Sequence, residues 1–484
     1  MNKQKVDIII VGAGLAGLSA AKKLQEQART FVVLEARDRV GGRLLTEQFS
    51  LPSKSLDAPT HYWIDSGGQW ISPTQTSIRA LADEMDVTTF TGAPDNGKVI
   101  LIFKGEYYQL NLGEDKPTGC FSKVVTLFKQ NFSYDYNEFQ TLELELDKMA
   151  NDFSDGQPWG SPNAKKWDSI TAQAWIDANA HTEGAKFLLN LSCLLAFAAT
   201  PSDLSLLHLL FYIHCAGGLT KLHNALAYRL NGGAQEVPKR IAAQLQDNVK
   251  YGNPVSKIIN NAEGVKVILS NGDVYEADHV IVTVPPALQA NITFSPPLPA
   301  SRRQLQQRMP MGSSVKCHLV YETPFWREKG YSGLVYSDEH VLPFITDNSN
   351  PQQSSPGILG CFLEAETVRK MMDKPIEEIQ TLITKTIEDI YQPFIGTIPK
   401  PVAVHVMRWS DEQWSGGAYA GMMPPGVWTG YQNTVRESVN RIHWAGTETA
   451  TKWFAYMDGA VRSGYNAVDE IYGHEICSDD PLSN

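Results

Sequence analysis

The sequence lacks the motifs of disulfide-rich, metal-binding and membrane-spanning proteins. It has six cysteines in 484 residues, none of them in a CxxC pair, so we expect reduced thiols that pack as small hydrophobic groups. The 11 histidines form neither an HExxH motif nor a ligand cluster, so no metal site is indicated. The most apolar long stretch, residues 187–215, is interrupted by polar residues and by Pro201, which is typical of buried helices rather than of a membrane span.

The N-terminus and the charge exclude further classes of protein. Residues 1–5 lead directly into a strand-like run without an apolar segment and cleavage site, so no secretion signal is evident. The net charge of −11 argues against nucleic-acid binding through a basic face. A hydrophobic content of 43% is that of a folded globular protein, and the length predicts two or three lobes. We therefore predict a cytoplasmic protein that binds neither nucleic acid nor membrane.

A complete βαβ unit with a glycine-rich turn opens the chain. Residues 6–11 form a short β-branched run of the kind that is buried on both faces of a sheet. Residues 15–26 then have helical spacing, and the second strand, residues 30–35, ends in Glu35. This pattern predicts an α/β protein with a Rossmann-like nucleotide-binding lobe.

The glycines of the turn have separate physical roles in nucleotide binding. Gly12 permits the tight turn, Gly14 lets the backbone approach a pyrophosphate, and Gly17 allows close contact between helix and strand. Ala16 lies in the same first helical turn, whose N–H groups face the phosphates. The Glu35 carboxylate can accept hydrogen bonds from ribose hydroxyls, which argues against a 2′-phosphate and therefore against NADP.

A βαβ unit with this glycine turn can bind either NAD or FAD, and the remaining motifs favour FAD. After the second strand come Ala36, Arg37 and a second glycine turn with Gly42 and Arg43, where a longer cofactor could continue. Near the other end of the chain, Gly446 and Glu448 precede a helix that begins near Tyr456 and Met457. A helix N-terminus there would stabilise an anionic reduced flavin. Two nucleotide-contacting segments at opposite ends of the chain suit a long cofactor that both segments enclose.

The segments between these motifs predict a discontinuous arrangement of lobes. Residues 44–62 are rich in proline and serine and are expected to be a loop, whereas residues 78–200 shift toward helices and aromatic loops. The expected boundaries are 1–80, 215–297 and 400–475 for the FAD-binding lobe, 81–214 and 298–399 for the substrate-binding lobe, and 476–484 for a polar tail.

Further motifs resemble those of the flavin-dependent monoamine oxidases, including the bacterial cyclohexylamine oxidases. The resemblance covers nearly the whole chain, in order. It implies the amine oxidase fold, with a glutathione-reductase-like FAD lobe and an α+β substrate lobe. It also implies oxidation of an amine to an imine, reduction of O2 to H2O2, and hydrolysis of the imine. The motifs that carry it are residues 35–43, Gly67-Gly68 with 73–75, 157–159, 311–317, 325–326, 331–333, 415–419, 424–426 and 445–460.

The resemblance assigns roles to individual residues. Tyr419 and Tyr456 are similar to the two tyrosines that flank the substrate amine, and parallel aromatic faces can hold and steer an alkylamine. Lys316 resembles the lysine that holds a water molecule at the flavin N5 atom. The resemblance adds Gly67, Gly68, Gln69, Trp70, Val255 and Trp409 to the expected FAD contacts, with core packing an equal alternative for Trp409.

The sequence departs from the mitochondrial members at the flavin link. Those enzymes tether the flavin through a cysteine, and this chain has Ala418 at that position. We therefore expect non-covalent FAD. Those enzymes also end in a membrane helix, which this sequence does not show.

The substrate is less well defined. The segment Gln69-Trp70 lacks the arginine that L-amino-acid oxidases place there, so a neutral-tailed amine is favoured over an amino acid. A polyamine oxidase would need acids, for which Glu364 and Glu366 are candidates, although solvated surface acids are the simpler interpretation. A nicotine-type oxidase and a flavin protein without amine turnover remain alternatives, and a homodimer is left open. The residues expected to line the substrate site are Phe344, Leu222 and His223.

Overall fold

A computed structural model describes residues 5–51, 60–92, 96–111, 119–153, 156–350 and 356–473. The expected polar tail, residues 476–484, lies outside these ranges. The strands, in chain order, are β1 (Lys5–Val11), β2 (Phe31–Leu34), β3 (Thr46–Leu51), β4 (Thr60–Asp65), β5 (Thr89–Thr91), β6 (Lys98–Phe103), β7 (Glu106–Leu110), β8 (Tyr228–Leu230), β9 (Val249–Lys250), β10 (Val255–Asn261), β11 (Gly264–Leu269), β12 (Val274–Val282), β13 (Thr293–Ser295), β14 (Ser314–Tyr321), β15 (Tyr331–Ser337), β16 (Phe344–Asp347), β17 (Gly357–Glu364), β18 (Ala403–Arg408) and β19 (Ile442–Trp444).

Helices connect and cover the strands. In chain order they are α1 (Leu15–Glu26), α2 (Thr76–Glu84), α3 (Cys120–Asn131), α4 (Ser133–Ala150), α5 (Ala164–Asp168), α6 (Ala172–Asn179), α7 (Glu183–Phe197), α8 (Leu206–Ala216), α9 (Leu219–His223), α10 (Glu236–Leu245), α11 (Pro286–Gln289), α12 (Ala300–Arg308), α13 (Phe325–Glu328), α14 (Ala365–Met371), α15 (Ile376–Ile395), α16 (Val427–Tyr431) and α17 (Met457–Tyr472).

The first sheet carries the nucleotide-binding motif. Its strand order is β13-β10-β11-β12-β1-β2-β9, and β19 also pairs with β12. β1 lies parallel to β2 and β12 at its centre. The apolar residues of β1 are buried on both faces, with Ile8 and Ile10 against the helices and Ile9 in the opposite cluster, as a parallel sheet with two covered faces requires. The prediction of a Rossmann-like α/β lobe is confirmed, and the predicted helix over residues 15–26 is α1.

The two ends of the chain meet where α17 packs on α1. A Cβ atom added at Gly464 would lie 2.2 Å from the Ala16 carbonyl oxygen, so only glycine lets the two helices approach this closely. Asp458, the second residue of α17, accepts hydrogen bonds from the N–H groups of Ser77 and Ile78 at 2.6 and 3.0 Å. It thereby satisfies donors at the start of α2. The glycine turn and the last helix are therefore adjacent.

The second sheet separates two helical layers. Its order is β18-β14-β17-β16-β15-β6-β7. Leu101 and Phe103 of β6 face helices α3 to α8, whereas Ile100 and Ile102 face α15, in the alternation that a strand requires. Both faces are covered, so β14 is buried along its full length. No helix in the described ranges combines the length and apolar composition needed to cross a membrane.

Three sequence-based expectations need correction. The predicted loop over residues 44–62 is wrong, because β3 and β4 form an antiparallel pair. Helices were expected after residue 78, and β6 and β7 instead lie within that segment as an edge hairpin of the second sheet. β18 was expected in the FAD-binding lobe, but it pairs with β14, so the chain returns to the first lobe after residue 408 rather than at 400.

Candidate active site

A cavity of about 500 Å³ is lined by residues of both sheets and of both chain ends. It brings together the residues that the sequence marked separately. The predicted FAD contacts that line it are Gly12, Gly14, Ala16, Glu35, Ala36, Arg37, Gly42, Arg43, Gly67, Gly68, Gln69, Trp70, Val255, Trp409, Gly446, Tyr456 and Met457. Lys316, Tyr419 and Phe344 line the same cavity.

The glycine turn is shaped by close backbone contacts on one side and open space on the other. A Cβ at Gly17 would lie 2.0 Å from the Gly12 carbonyl oxygen, and one at Gly12 would lie 2.5 Å from Thr283 Oγ1. At Gly14 a Cβ would have no atom within 4 Å. Gly17 is not part of the cavity lining, and its role here is the close approach of α1 to β1. Gly14 leaves room beside the N-terminus of α1 for a phosphate group.

Glu35 is buried at the end of β2 and its two oxygens have different partners. Oε2 accepts a hydrogen bond from the Ala13 N–H at 2.7 Å, and Oε1 accepts one from the Arg37 N–H at 3.0 Å. The Arg37 guanidinium also donates to the Glu412 carboxylate and, at 2.9 Å, to Ser415 Oγ. These contacts fix the carboxylate and the cation in the wall of the cavity.

Arg43 joins the N-terminal motif to the C-terminal one. It donates to both Glu448 oxygens at 2.6 and 3.1 Å and to the Tyr419 carbonyl oxygen at 2.8 Å. Glu448 also accepts the Gly421 N–H at 3.1 Å, and Arg43 together with these bonds holds its pKa below the ordinary value despite burial. Glu448 lies behind the lining rather than in it. Because bidentate pairs have a fixed geometry, this pair fixes the position of the N-terminal motif relative to the C-terminal motif.

Lys316 lies at the other end of the cavity, on β14. Its Nζ donates to the Gly67 carbonyl oxygen at 2.9 Å and to Gln69 Oε1 at 2.6 Å. Burial lowers the pKa of the amine to about 7, with the Asp65 carboxylate opposing this shift and the Arg229 guanidinium adding to it. The nearest contacts of Nζ are neutral oxygens, so the amine can exist in either protonation state near neutral pH.

Tyr419 lines the cavity beside a buried acid. Its hydroxyl donates to Oε1 of Glu364, and a cis peptide bond joins it to Ala418. Glu364 is only 4% exposed, so the interpretation of this residue as a solvated surface acid is wrong. Glu366 is exposed and pairs with Lys370 at 2.7 Å. Burial raises the pKa of the Glu364 carboxyl to about 8, and the hydrogen bond from Tyr419 opposes that rise.

Tyr456 precedes α17 and has a second tyrosine behind it. The Tyr212 hydroxyl donates to the Tyr456 hydroxyl oxygen at 2.6 Å, and the two rings are stacked with centroids 5.9 Å apart. Trp453 meets the Tyr456 ring edge-on at 5.1 Å. The Tyr456 ring is therefore held by aromatic and hydrogen-bonding contacts. Its parallel arrangement with the Tyr419 ring stays a prediction.

Two predicted lining residues lie elsewhere. Leu222 and His223 are absent from the cavity wall, because α9 packs against the helical layer, where His223 pairs with Glu143 at 2.6 Å.

Sequence reasoning missed other residues of the wall. Thr283, which donates to the Val11 carbonyl oxygen at 2.8 Å, could have been found, because it lies at the carboxyl end of a predicted strand beside β1. Leu195 and Ala196 carry no such signal.

Comparison with known proteins identifies the family. A family model for flavin containing amine oxidoreductases matches residues 15–472. The chain belongs to this family. Human amine oxidase [flavin-containing] B is 35% identical over 475 residues, which cover 96% of this chain and 86% of the relative. The L-amino acid dehydrogenase of Synechocystis sp. is 35% identical over 471 residues, 96% of this chain and 95% of the relative.

Solved structures of the family superpose on the whole chain. Putrescine oxidase bound to putrescine has a TM-score of 0.85 at 30% identity and covers 98% of this chain and 100% of its own. Cyclohexylamine oxidase from Brevibacterium oxydans has a TM-score of 0.84 at 29% identity and covers 97% and 99%. The amine oxidase fold expected from the sequence is confirmed.

The residues of the cavity fit FAD. The open space at Gly14, the carboxylate of Glu35 and the wall at Val255 suit a pyrophosphate, a ribose and an adenine at one end. Trp409, whose ring N–H donates to the Ser66 carbonyl oxygen at 2.8 Å, lies in the wall with Lys316 and Tyr456. In the described ranges no group of three or more His, Cys, Asp or Glu residues forms a metal-binding arrangement.

Proposed function

We propose that this flavin-containing amine oxidase binds FAD non-covalently, oxidises a small amine to an imine, and passes the electrons to O2. The observation that carries the proposal is that Lys316, Tyr419 and Tyr456 line the same cavity as the glycine turn and Glu35. FAD, when bound, accepts the hydride equivalent from the carbon next to nitrogen. The imine then hydrolyses to an aldehyde or ketone.

The protein's contribution to the reaction is binding, orientation and exclusion of water. Tyr419 and Tyr456 present aromatic faces to which an alkylammonium is attracted, and both rings are held by neighbouring side chains. Phe362, whose ring is edge-on to Tyr419 at 6.3 Å, and Phe344 add apolar surface to the same cavity. No dedicated proton-abstracting residue is required at the substrate carbon.

Lys316 is the residue that we assign to oxygen chemistry. Its amine is buried in the cavity wall, is held by two neutral oxygens and has a pKa lowered to about 7. We expect Lys316→Met to slow reoxidation of the reduced enzyme by O2 without slowing its anaerobic reduction by amine. Stopped-flow absorbance measures the two steps separately. An unchanged oxygen step would remove this role.

The absence of a covalent flavin link is proposed from the cavity wall. Ala418 stands where the mitochondrial relatives have the linking cysteine, and no described residue of the lining is a cysteine. Trichloroacetic acid precipitation should leave the yellow colour in the supernatant. A yellow pellet after washing would contradict the proposal.

The substrate class follows from the charges in the wall. Arg37 and Arg43 line the cavity, but each is paired with a carboxylate, so neither is set up to receive the carboxylate of an amino acid. This favours amines over L-amino acids, although the Synechocystis relative is an L-amino acid dehydrogenase. The test is anaerobic bleaching of the bound flavin. It compares primary, secondary, cyclic and polyamines with L-amino acids and shows which class of compound reduces the flavin.

The same experiment tests whether the protein turns over amines at all. Peroxide release with a bleaching amine supports the oxidase, whereas bleaching without peroxide indicates a different electron acceptor. No bleaching by any amine would leave a flavin protein without amine turnover. The cytoplasmic location and the homodimer stay predictions.

A further inference from the structure

Glu364 is a buried acid that is hydrogen-bonded to Tyr419 and has no role in the proposed oxidation. It ends β17 and precedes α14. Its Oε1 accepts the hydrogen bond from the Tyr419 hydroxyl, and among the described residues its Oε2 has no hydrogen-bond partner. A buried carboxyl oxygen without a partner is costly, so the placement calls for a functional explanation.

The position of Glu364 on its strand directs it toward the substrate end of the cavity. Phe362 lies two residues earlier on β17 and therefore points to the same face of the sheet, and it lines the cavity. The paired strand β14 places Ser314 opposite Glu364 and Lys316 opposite Phe362, and both of these β14 residues are in the lining. Glu364 is therefore one layer behind the wall, separated from the cavity by the Tyr419 phenol.

We propose that Glu364 is a positioning residue for amine recognition, which in its ionised form turns the Tyr419 hydroxyl away from the cavity and places a negative charge behind the substrate ammonium group. The proposal rests on the amine oxidase function proposed above. An ionised carboxylate only accepts hydrogen bonds, so the phenol must donate to it. The phenol oxygen then offers lone pairs, and not its proton, to an amine in the cavity.

Protonation of Glu364 would reverse the direction of its hydrogen bond with Tyr419. A neutral carboxylic acid can donate its own proton to the phenol oxygen. The Tyr419 O–H is then released and can donate to the amine lone pair, which oxidation needs free. Burial raises the pKa of Glu364 to about 8, so this exchange is centred near that pH.

Tyr419 is the main polar group that affects the pKa of Glu364. Besides burial, the hydrogen bond from Tyr419 is what sets its pKa. The titratable and charged groups on the elements packed around it are Lys316 on β14, Tyr419 with Arg43 and Glu448 behind it, Tyr456 and Tyr212, Glu366, Arg369 and Lys370 on α14, Asp203, which pairs with Arg369, and Arg408 and Asp411.

The test measures binding of a cation and of its neutral isostere to the FAD-loaded enzyme. Choline and 3,3-dimethyl-1-butanol have the same shape and differ in charge, and neither is deprotonated between pH 6 and pH 10. Their dissociation constants are obtained from the shift of the flavin absorbance. In the wild type we expect choline to bind about tenfold more tightly at pH 10 than at pH 6, with a midpoint near the Glu364 pKa of about 8. The alcohol should bind equally at both pH values.

Three variants identify the responsible group. Glu364→Gln should abolish most of this pH dependence, and Glu366→Gln, which changes an exposed acid two residues away, should leave it intact. Tyr419→Phe keeps the carboxylate but removes the hydrogen bond that lowers its pKa, so the midpoint should move to higher pH. FAD content and circular dichroism verify that each variant is folded.

The alternative source of such a profile is Lys316, which loses positive charge as the pH rises. If Glu364→Gln retains the wild-type profile, Lys316 is responsible and the proposal is overturned. Anaerobic bleaching of the wild-type flavin by amines is measured in parallel. A normal choline profile without bleaching would refute the oxidase function and leave the role of Glu364 in cation recognition standing.

Discussion

The two ends of the cavity hold their polar groups in different ways. At the Glu35 end the buried carboxylate accepts hydrogen bonds from the backbone N–H groups of Ala13 at 2.7 Å and Arg37 at 3.0 Å, and the Arg37 guanidinium is paired with Glu412. At the Tyr419 end the contacts are made by buried side chains whose pKa values are shifted, namely Lys316, Glu364 and Tyr419 itself. The first end depends on the space that glycine leaves, and the second depends on protonation.

We infer that the Glu35 end binds the cofactor and that the Tyr419 end controls the chemistry. The N–H groups of the glycine turn do not ionise, so their affinity for a pyrophosphate should vary little with pH. Side chains that are deprived of water have protonation states that respond to small changes in their surroundings. Substitutions at the first end should therefore affect stability and cofactor content, and substitutions at the second end should affect pH dependence and rate.

The largest effect on cofactor binding is expected from Gly17→Ala. A methyl group there would lie 2.0 Å from the Gly12 carbonyl oxygen and 3.2 Å from Ile10 Cγ2. The strand and helix must move apart, which should lower the free energy of unfolding by about 3 kcal/mol and abolish FAD binding. Urea unfolding followed by tryptophan fluorescence measures the first quantity, and FAD titration measures the second.

Gly14→Ala is the matched control at the same end. Gly14 has φ −74° and ψ 176°, which any residue can adopt, and its Cβ would meet no protein atom within 4 Å. The free energy of unfolding of the cofactor-free protein should be unchanged, but FAD should bind more weakly, because the methyl group projects into the cavity. Wild-type affinity for FAD in this variant would contradict the location of the pyrophosphate.

The next prediction concerns the Tyr419 end, where Glu364 and Lys316 should make the free energy of unfolding depend on pH. Glu364 has an ordinary pKa of 4.5, raised to about 8 in the folded protein. Between these values the folded state holds a proton that the unfolded state has lost, so stability falls as the pH rises. Lys316 has an ordinary pKa of 10.5, lowered to about 7. Between those values the unfolded state holds the extra proton, so stability rises with pH.

The two contributions have opposite slopes, each of about 1.4 kcal/mol per pH unit at full strength. Glu364→Gln should remove the fall between pH 4.5 and pH 8, and Lys316→Met should remove the rise between pH 7 and pH 10.5. Urea unfolding at a series of pH values measures both slopes. Glu366→Gln is the control, since its side chain is exposed and its substitution should leave both slopes unchanged.

The same contrast explains which parts of the molecule the sequence could predict. The helix over residues 15–26 and the glycines before it were predictable because one continuous segment contains the strand, turn and helix. The pairing of β3 with β4 was missed because β3 is partly exposed and the prolines and serines between residues 52 and 59 indicated a loop. Tertiary pairing, and not local propensity, makes them strands.

At the Tyr419 end, individual residues were predictable but their couplings were not. Lys316, Tyr419 and Tyr456 were found through motifs, and each lines the cavity. Glu364 was expected to be a solvated surface acid near the end of a strand of the second lobe. Its burial depends on Tyr419, 55 residues away in sequence, and on the packing of β17. Such long-range contacts leave no periodic signal in a single sequence.

The smallest expected effect concerns the hydrogen bond behind Tyr456. Tyr456→Phe keeps the ring in the cavity and removes the oxygen that accepts from the Tyr212 hydroxyl at 2.6 Å. We expect the rate of anaerobic flavin reduction to fall roughly three- to tenfold, the range that one net hydrogen bond supplies.

Tyr212→Phe is the informative partner of this variant, because it breaks the same bond from a residue outside the cavity lining. If the bond only orients the Tyr456 ring, both variants should slow flavin reduction equally, and the double variant should be no slower than either. A loss confined to Tyr456→Phe would instead mean that the Tyr456 hydroxyl acts on the substrate directly. The Tyr419 end would then have two phenols that act on the substrate through their oxygens.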